Sequence, residues 1–153
     1  MTAIDAIAGV VNACQPLPTL LTGGQPDLHH LRALKAAGTA LVLDIRAGSE
    51  ARPFNEPQTI ADLGMAYVNI PVGPTPLNDA LMEAILAVLR ERRDETVFFH
   101  CGTGNRVGGA LLPFLILDHG MEEEDALAIA SRVGLRSPEL MQWGVEYARR
   151  HRG

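Results

Sequence analysis

The chain is poor in cysteine: its 153 residues include only Cys14 and Cys101. Two cysteines cannot build the disulfide framework that stabilises small secreted domains. The sequence also lacks an apolar run of the ~18–20 residues that a membrane-spanning helix needs. Its first residues carry Asp5 and no basic cluster, which is unlike a secretion signal. These absences predict a protein of the reducing cytoplasm.

Positive charge is also scarce, with 13 lysines and arginines against 18 aspartates and glutamates and a net charge of -5. This balance argues against nucleic acid and anionic membranes as partners, although an acidic protein can still hold a local basic pocket. The length fits one domain. We therefore expect a single domain over residues 1–153, in which residues 1–19 form an N-terminal segment that need not belong to the core.

Short apolar runs alternate with amphipathic segments along the chain. Strands are predicted at residues 39–45, 65–72 and 96–100. Helices are predicted at residues 28–37, 60–63, 76–95, 106–120, 122–133 and 137–151, and Pro113 should disturb the fourth of them. The glycine- and proline-containing stretch at residues 21–27 is predicted to be a turn. The alternation predicts an α/β fold with a mostly parallel sheet and helices on both faces.

The stretch "FFHCGTGNRVGG", residues 98–109, places a thiol and a guanidinium at the two ends of a glycine turn between a strand and a helix. Gly102 and Gly104 allow successive backbone N–H groups to point inward, where the following helix adds partial positive charge. Arg106 adds a fork of donors suited to oxyanions. The same field favours the thiolate form of Cys101. The stretch therefore predicts a site for a tetrahedral anion with a nucleophile at its base.

This cysteine loop, residues 101–106, resembles the phosphate-binding loop of cysteine-based protein phosphatases, whose pattern is His-Cys, five residues, then Arg. From about Leu20 to about Leu135 the chain is similar to the DUF442 family, which is related to the dual-specificity phosphatases. The supporting pieces, each weak, occur in the family's order: Gly24-Gln25-Pro26, Ala36-Ala37-Gly38, Arg46 with Glu50, and Ile70-Pro71-Val72. The resemblance implies a three-layer phosphatase-like fold with four or five strands, and no cofactor. No metal site is predicted, because the adjacent His29 and His30 point in different directions on a helix.

The resemblance also implies roles for individual residues. Cys101 would attack phosphorus and form a phosphocysteine, while His100 fixes the loop from behind. The phosphate oxygens would be held by the loop residues Gly102, Thr103, Gly104, Asn105 and Arg106. Arg46 is predicted either as a second phosphate contact or as the ion-pair partner of Glu50. Asp79 and Glu50 are the carboxyl groups available for proton transfer.

Three departures from the phosphatase pattern stand out. Cys101 and Arg106 are separated by four residues instead of five, a spacing that DUF442 members share. Gly73 stands where dual-specificity phosphatases usually place their acidic aspartate. Val107 replaces the hydroxyl residue that commonly follows the arginine and bonds the thiolate, which leaves Thr103 and Asn105 as its possible substitutes.

These departures leave three functions in competition. The first is a phosphatase acting on a phosphorylated small molecule or a phosphoprotein. The second is a rhodanese-like sulfurtransferase that carries a persulfide on Cys101. The four-residue spacing favours it, because the loops of rhodanese-like sulfurtransferases have this shorter length. The third is a phosphate-binding protein without catalysis. The oligomeric state is open, and Cys14 is either a bystander or a resolving thiol for an oxidised Cys101.

Overall fold

A five-stranded sheet forms the centre of the computed structural model, which describes residues 2–152. The strands are β1 (Cys14–Leu17), β2 (Leu20–Gly23), β3 (Thr39–Asp44), β4 (Ala66–Asn69) and β5 (Thr96–His100). Their spatial order is β1-β2-β5-β3-β4, with β1 antiparallel to β2 and all other neighbours parallel. The predicted α/β fold with a mostly parallel sheet is confirmed.

Helices cover both faces of this sheet. They are α1 (Leu28–Ala36), α2 (Glu56–Asp62), α3 (Asp79–Glu91), α4 (Asn105–Pro113), α5 (Glu123–Val133) and α6 (Pro138–His151), with a 3-10 helix at Ile4–Ile7 and a π-helix at Phe114–Asp118. The 3-10 helix, α1 and α2 pack on one face, and α3 to α6 pack on the other. No helix within residues 2–152 is long and apolar enough to cross a membrane.

The central strand β5 shows why the sheet is buried on both sides. Val97 and Phe99 point into the core cluster under α3 to α6, whereas Phe98 points into the cluster under α1 and α2. A parallel strand covered on both faces is a continuous apolar run rather than an alternating one. Because β5 is the middle strand, the residue that follows it, Cys101, lies at the centre of the sheet's carboxyl edge.

The helix that starts at Asn105 is interrupted as Pro113 predicts. Regular α-helix ends at Pro113, and the chain continues as a π-helix at Phe114–Asp118. Proline has no N–H to donate to the carbonyl of Gly109 one turn earlier. That carbonyl faces Gly144 of α6, where a side chain would collide with it.

The N-terminal part of the chain is more structured than its sequence suggests. The turn predicted over residues 21–27 is wrong in its first half, because Leu20–Gly23 form β2, paired with β5 on one side and β1 on the other. β1 itself lies within residues 1–19. Ala6, Ile7 and Val10 of the same segment are buried in the cluster under α1. Pairing to a central strand outweighs the local turn preference of the glycines.

Candidate active site

The cysteine loop connects the carboxyl end of β5 to the first residue of α4. Cys101 is fully buried, while Thr103 at the tip of the loop is exposed. Gly104 precedes the helix with a φ of 99°, in the left-handed region that glycine adopts without strain. A β-carbon at this position would also collide with the carbonyl oxygen of Val133 at the end of α5. The loop therefore requires glycine at position 104 for two independent reasons.

Four carbonyl groups of the loop, those of residues 101–104, are held on its outer side. The carbonyl of Cys101 faces Nδ1 of the His100 ring at 3.1 Å. The carbonyl of Gly102 accepts from the backbone N–H of Gln25 at 3.0 Å, and that of Gly104 from Gly108 at 2.9 Å. The carbonyl of Thr103 accepts from a side chain, Nδ2 of Asn12, at 2.7 Å.

The N–H groups of the loop consequently face inward, because the C=O and N–H of a trans peptide point in opposite directions. The amides of Gly102, Thr103, Asn105 and Arg106 have no hydrogen-bond partner within residues 2–152. They belong to the segment that joins the thiol to the amino end of α4, where the helix dipole adds partial positive charge. Such a set of donors can hold the oxygens of a tetrahedral anion.

The thiol of Cys101 receives its hydrogen bond from the backbone. The N–H of Gly104 donates to Sγ at 3.1 Å. The side chain of Asn105 instead turns away and accepts from the backbone N–H groups of Arg136 and Ser137. The donor that reaches the sulfur is thus a loop amide, and the candidates proposed from the sequence, Thr103 and Asn105, do not supply it through their side chains.

Glu50 binds Arg106 end-on, that is, through the two terminal nitrogens of the guanidinium. Its Nη1 and Nη2 donate to the two carboxylate oxygens at 2.5 and 2.8 Å, and Nη1 also lies 3.4 Å from the carbonyl of Val72. Nε has no hydrogen-bond partner within residues 2–152. The hydrogen bonds to Glu50 raise the pKa of Arg106, and the charge of the nearby Cys101 sulfur raises it further. The guanidinium therefore stays charged and presents its Nε–Nη2 edge to the loop.

The same ion pair decides how Glu50 can act. The hydrogen bonds from Arg106 hold the pKa of Glu50 below its ordinary value. A carboxyl group that is ionised at neutral pH is a poor proton donor to a leaving group. Glu50 also accepts from the backbone N–H of Ala47 at 2.5 Å, which fixes the carboxylate in place. Its geometry suits orientation of Arg106 better than proton transfer.

Arg46 differs from both alternatives drawn from the sequence. It is buried and donates through Nε and Nη2 to the two oxygens of Asp44, at 3.0 and 2.8 Å, and through Nη2 to Glu56 at 3.3 Å. Glu50 is not its partner, and a guanidinium enclosed by two carboxylates is not available to a substrate. Burial alone would raise the pKa of Asp44, but the hydrogen bonds from Arg46 and the charge of His100 hold it well below its ordinary value.

His100 links this buried ion cluster to the cysteine loop. Its Nε2 lies 2.6 Å from Oε2 of Glu56, and its Nδ1 faces the carbonyl of Cys101. Both nitrogens of the ring are therefore held, one by the loop backbone and one by the Glu56 carboxyl group. The position fits the predicted part of His100 in fixing the loop from behind. Asp44, Glu56 and His100 also lie close enough together to bind a metal ion, but the Arg46 guanidinium already bonds both carboxylates.

Asp79 and Cys14 lie apart from the cysteine loop. Asp79 opens α3 and pairs with Arg150 near the end of α6, on an exposed surface. Cys14 is on β1, and β2 separates β1 from the strand that leads to Cys101. Two strand spacings amount to roughly 9–10 Å, beyond the ~7 Å between Cα atoms that a disulfide tolerates. The fold thus does not place Cys14 as a resolving thiol.

Two residues of the site carry no sequence signal that points to it. Glu56 follows Asn55, which caps α2, and by its sequence is a first-turn acid on a helix surface. In the structure its side chain is 1% exposed, between Arg46 and His100. Asn12 lies in a turn 91 residues before the carbonyl that it bonds. Only the fold brings these residues to the loop.

Several solved structures with a similar fold are phosphatases or putative phosphatases. A DUF442 putative phosphatase from Shewanella putrefaciens CN-32 superposes with a TM-score of 0.81 at 25% identity, covering 97% of this chain and 98% of the other. TpbA from P. aeruginosa gives a TM-score of 0.70 at 19% identity, covering 91% and 84%. The catalytic core of the PP-IP phosphatase SIW14 from S. cerevisiae gives 0.76 at 13% identity, covering 89% and 85%. No protein-family model and no curated protein matches the sequence.

These similarities confirm the family resemblance and the three-layer fold expected from the sequence. The neighbours are protein tyrosine and dual-specificity-type phosphatases, which are hydrolases. The match with the DUF442 protein extends over nearly the whole of both chains, so it includes the N-terminal segment as well as the cysteine loop.

Proposed function

We propose that this protein is a phosphatase that hydrolyses a phosphate monoester through a phosphocysteine on Cys101. The observation that carries the proposal is the arrangement of the cysteine loop. The carbonyl groups from Cys101 to Gly104 are bonded on the outside. The loop N–H groups that have no partner within residues 2–152 face inward, and the Arg106 guanidinium lies near Gly102 and the sulfur. This arrangement stabilises negative charge on sulfur and on phosphate oxygens alike.

The reaction has two steps. The Cys101 thiolate attacks phosphorus, so that an S–P bond forms and the P–O bond to the leaving group breaks. Water then attacks phosphorus, the S–P bond breaks, and phosphate and a proton are released as the thiolate is restored. In both steps the loop amides and Arg106 hold the three non-reacting oxygens, whose charge they offset.

The substrate class follows from which carboxyl groups near the site could donate a proton to a leaving group. Glu50 is ionised by its pairing with Arg106, and Asp79 is paired with Arg150, so neither supports protonation of a leaving group. An aryl oxide leaves without a proton, whereas an alkoxide needs one. We therefore infer that aryl phosphates, such as a phosphotyrosine side chain, are turned over faster than alkyl phosphates. Among the proteins of similar fold, a TpbA variant binds pTyr and SIW14 acts on PP-IP.

The test is hydrolysis of para-nitrophenyl phosphate by the wild type and by Cys101→Ser. We expect the variant to lose activity by several orders of magnitude, because a serine hydroxyl without a base is a weak nucleophile. Equal rates in the two proteins would rule out the proposal. Thiocyanate formation from thiosulfate and cyanide would indicate the sulfurtransferase instead. Tight phosphate binding without turnover of any aryl phosphate would indicate a binding protein.

A further inference from the structure

The peptide bond between Thr103 and Gly104 joins the outside of the cysteine loop to the sulfur. On its inner side, the N–H of Gly104 donates to Cys101 Sγ at 3.1 Å. On its outer side, the carbonyl of Thr103 accepts from Asn12 Nδ2 at 2.7 Å. A trans peptide is planar and carries these two groups on opposite edges. Whatever fixes the direction of the carbonyl therefore also fixes the N–H that reaches the sulfur.

This peptide is held differently from its neighbours. The carbonyls of Gly102 and Gly104 are bonded by backbone amides, and that of Cys101 by the buried ring of His100. The hydrogen bond to Thr103 comes from a side chain of an exposed turn, and Thr103 is itself exposed. A water molecule can compete for such a carbonyl, so its direction depends on how well the donor is placed.

The backbone of Asn12 and the neighbouring Gly134 fix the position of the donor amide. Asn12 has a φ of 55°, a left-handed conformation that asparagine tolerates better than most residues. Its side chain lies against Gly134, where a β-carbon would come within 3.0 Å of both Asn12 Nδ2 and the Thr103 carbonyl. Asn12 is exposed and adds nothing to the apolar core. Core packing therefore does not account for the arrangement, whereas orientation of the loop does.

We propose that Asn12 is a positioning residue for the reaction, because it keeps the Gly104 N–H directed at the Cys101 sulfur. A hydrogen bond to an ionised acceptor is stronger than one to a neutral acceptor, so this N–H favours the thiolate. The Gly104 N–H thus replaces the side-chain hydroxyl that commonly follows the loop arginine in phosphatases and that Val107 does not have. It also stabilises the sulfur as it departs from phosphorus in the second step. If the peptide turned over, the Thr103 carbonyl would face the anion and repel it.

The experiment measures alkylation of Cys101 by iodoacetamide as a function of pH, in a Cys14→Ser background that leaves one thiol. Asn12→Gly keeps the left-handed backbone and removes the donor. Asn12→Asp keeps the shape and replaces the donor by an acceptor. Ala13→Gly is the control, since it loosens the same exposed turn without touching the loop. The charged groups near the sulfur, Arg106 with Glu50 and His100 with Glu56, are not substituted in any variant, and Asn12→Asp adds one carboxylate beside the Thr103 carbonyl.

We expect the alkylation profile of Asn12→Gly to move to higher pH, with alkylation on its acidic side about three- to tenfold slower than in the wild type, the worth of one hydrogen bond. Asn12→Asp should move the profile further, because its negative charge also opposes the thiolate, and Ala13→Gly should leave the profile where it is. Turnover of para-nitrophenyl phosphate should fall by a similar factor in the two Asn12 variants.

Wild-type alkylation profiles in both Asn12 variants would overturn the inference, and so would an equal shift in Ala13→Gly. The effect on turnover rests on the proposed phosphatase activity, but alkylation does not. Failure of that activity would appear as equal turnover in the Cys101→Ser comparison, and failure of the positioning role as an unchanged alkylation profile. Thermal unfolding of each variant identifies any loss of fold, and Asn12→Asp preserves the side-chain packing should Asn12→Gly unfold.

Discussion

Two arginines at the carboxyl edge of the sheet, Arg46 and Arg106, are both paired with carboxylates, yet only one is available to an anion. Asp44 binds Arg46 along its Nε–Nη2 edge, and Glu56 takes a further bond from Nη2. Glu50 binds Arg106 through the two terminal nitrogens. That pairing uses one N–H of each terminal nitrogen, so Nε and the second N–H of Nη2 have no hydrogen-bond partner within residues 2–152.

The two pairings show that the role of an arginine depends on which edge of its guanidinium a carboxylate occupies. A side-on pair uses the same two donors that a phosphate would use, so it makes a structural ion pair. An end-on pair fixes the direction of the guanidinium and spares those donors. Arg46 is accordingly buried behind the loop, while Arg106 is half-buried with its free edge at the sulfur. The following substitutions test this contrast, beginning with the largest expected effect.

Arg106→Lys should reduce kcat/KM for an aryl phosphate by about 10²–10³-fold, the usual cost of removing a preorganised oxyanion donor. Lysine keeps the positive charge but cannot present two parallel N–H groups. Steady-state kinetics give the size of the loss, and thermal unfolding should show a folded protein. Activity within a few-fold of the wild type would mean that the free edge of Arg106 does not contact the substrate.

Arg46→Met should lower the free energy of unfolding by about 3 kcal/mol or more, because it removes the buried cation that Asp44 and Glu56 share and leaves Asp44 only the partly exposed Arg52, at 3.2 Å. Urea denaturation measures the change. Arg90→Met is the matched control, since Arg90 pairs with Asp118 through the same Nε and Nη2 edge but at the surface. That exposed pair should contribute no more than about 1 kcal/mol. Similar losses in the two variants would contradict a structural role that depends on burial.

Glu50→Gln should reduce kcat/KM by about three- to tenfold, since Arg106 loses its charged anchor but keeps its donors. The ratio of aryl to alkyl phosphate turnover should stay the same, because Glu50 is not the proton donor. Asp79→Asn removes a carboxylate outside the loop and should change kcat/KM by less than about twofold. A selective loss of alkyl phosphate turnover in Glu50→Gln would identify Glu50 as a general acid after all.

The part of the fold that local pattern determines was predictable. The amphipathic segments and the buried runs of β3 and β5 follow from hydrophobic spacing, and Ser137 and Pro138 mark the start of α6. β2 was not predictable as a strand. The two glycines of "LTGG" predict a turn, and only the pairing with β1 and β5 makes residues 20–23 a strand. β1 is a neighbour in the chain, but the pairing that places β2 inside the sheet is with β5, which lies too far along the chain for a short window of sequence to contain both strands.

The candidate site divides in the same way. Cys101, Arg106 and the glycines between them are adjacent in the chain, so their chemistry could be predicted from spacing. Glu50 could be singled out but not its geometry, since the choice between proton donor and anchor depends on which nitrogens of Arg106 it meets.

The sequence by itself determined that a strand runs into a thiol, a tight glycine turn and an arginine at the start of a helix. Those features are local, and backbone stereochemistry turns them into an inward-facing set of N–H groups. The tertiary structure alone decided which carboxylate meets which arginine, that Arg46 is enclosed rather than exposed, and that Asn12 reaches the Thr103 carbonyl. Ion-pair partners and distant side-chain contacts depend on a few ångströms of packing between elements far apart in the chain, which local pattern does not encode.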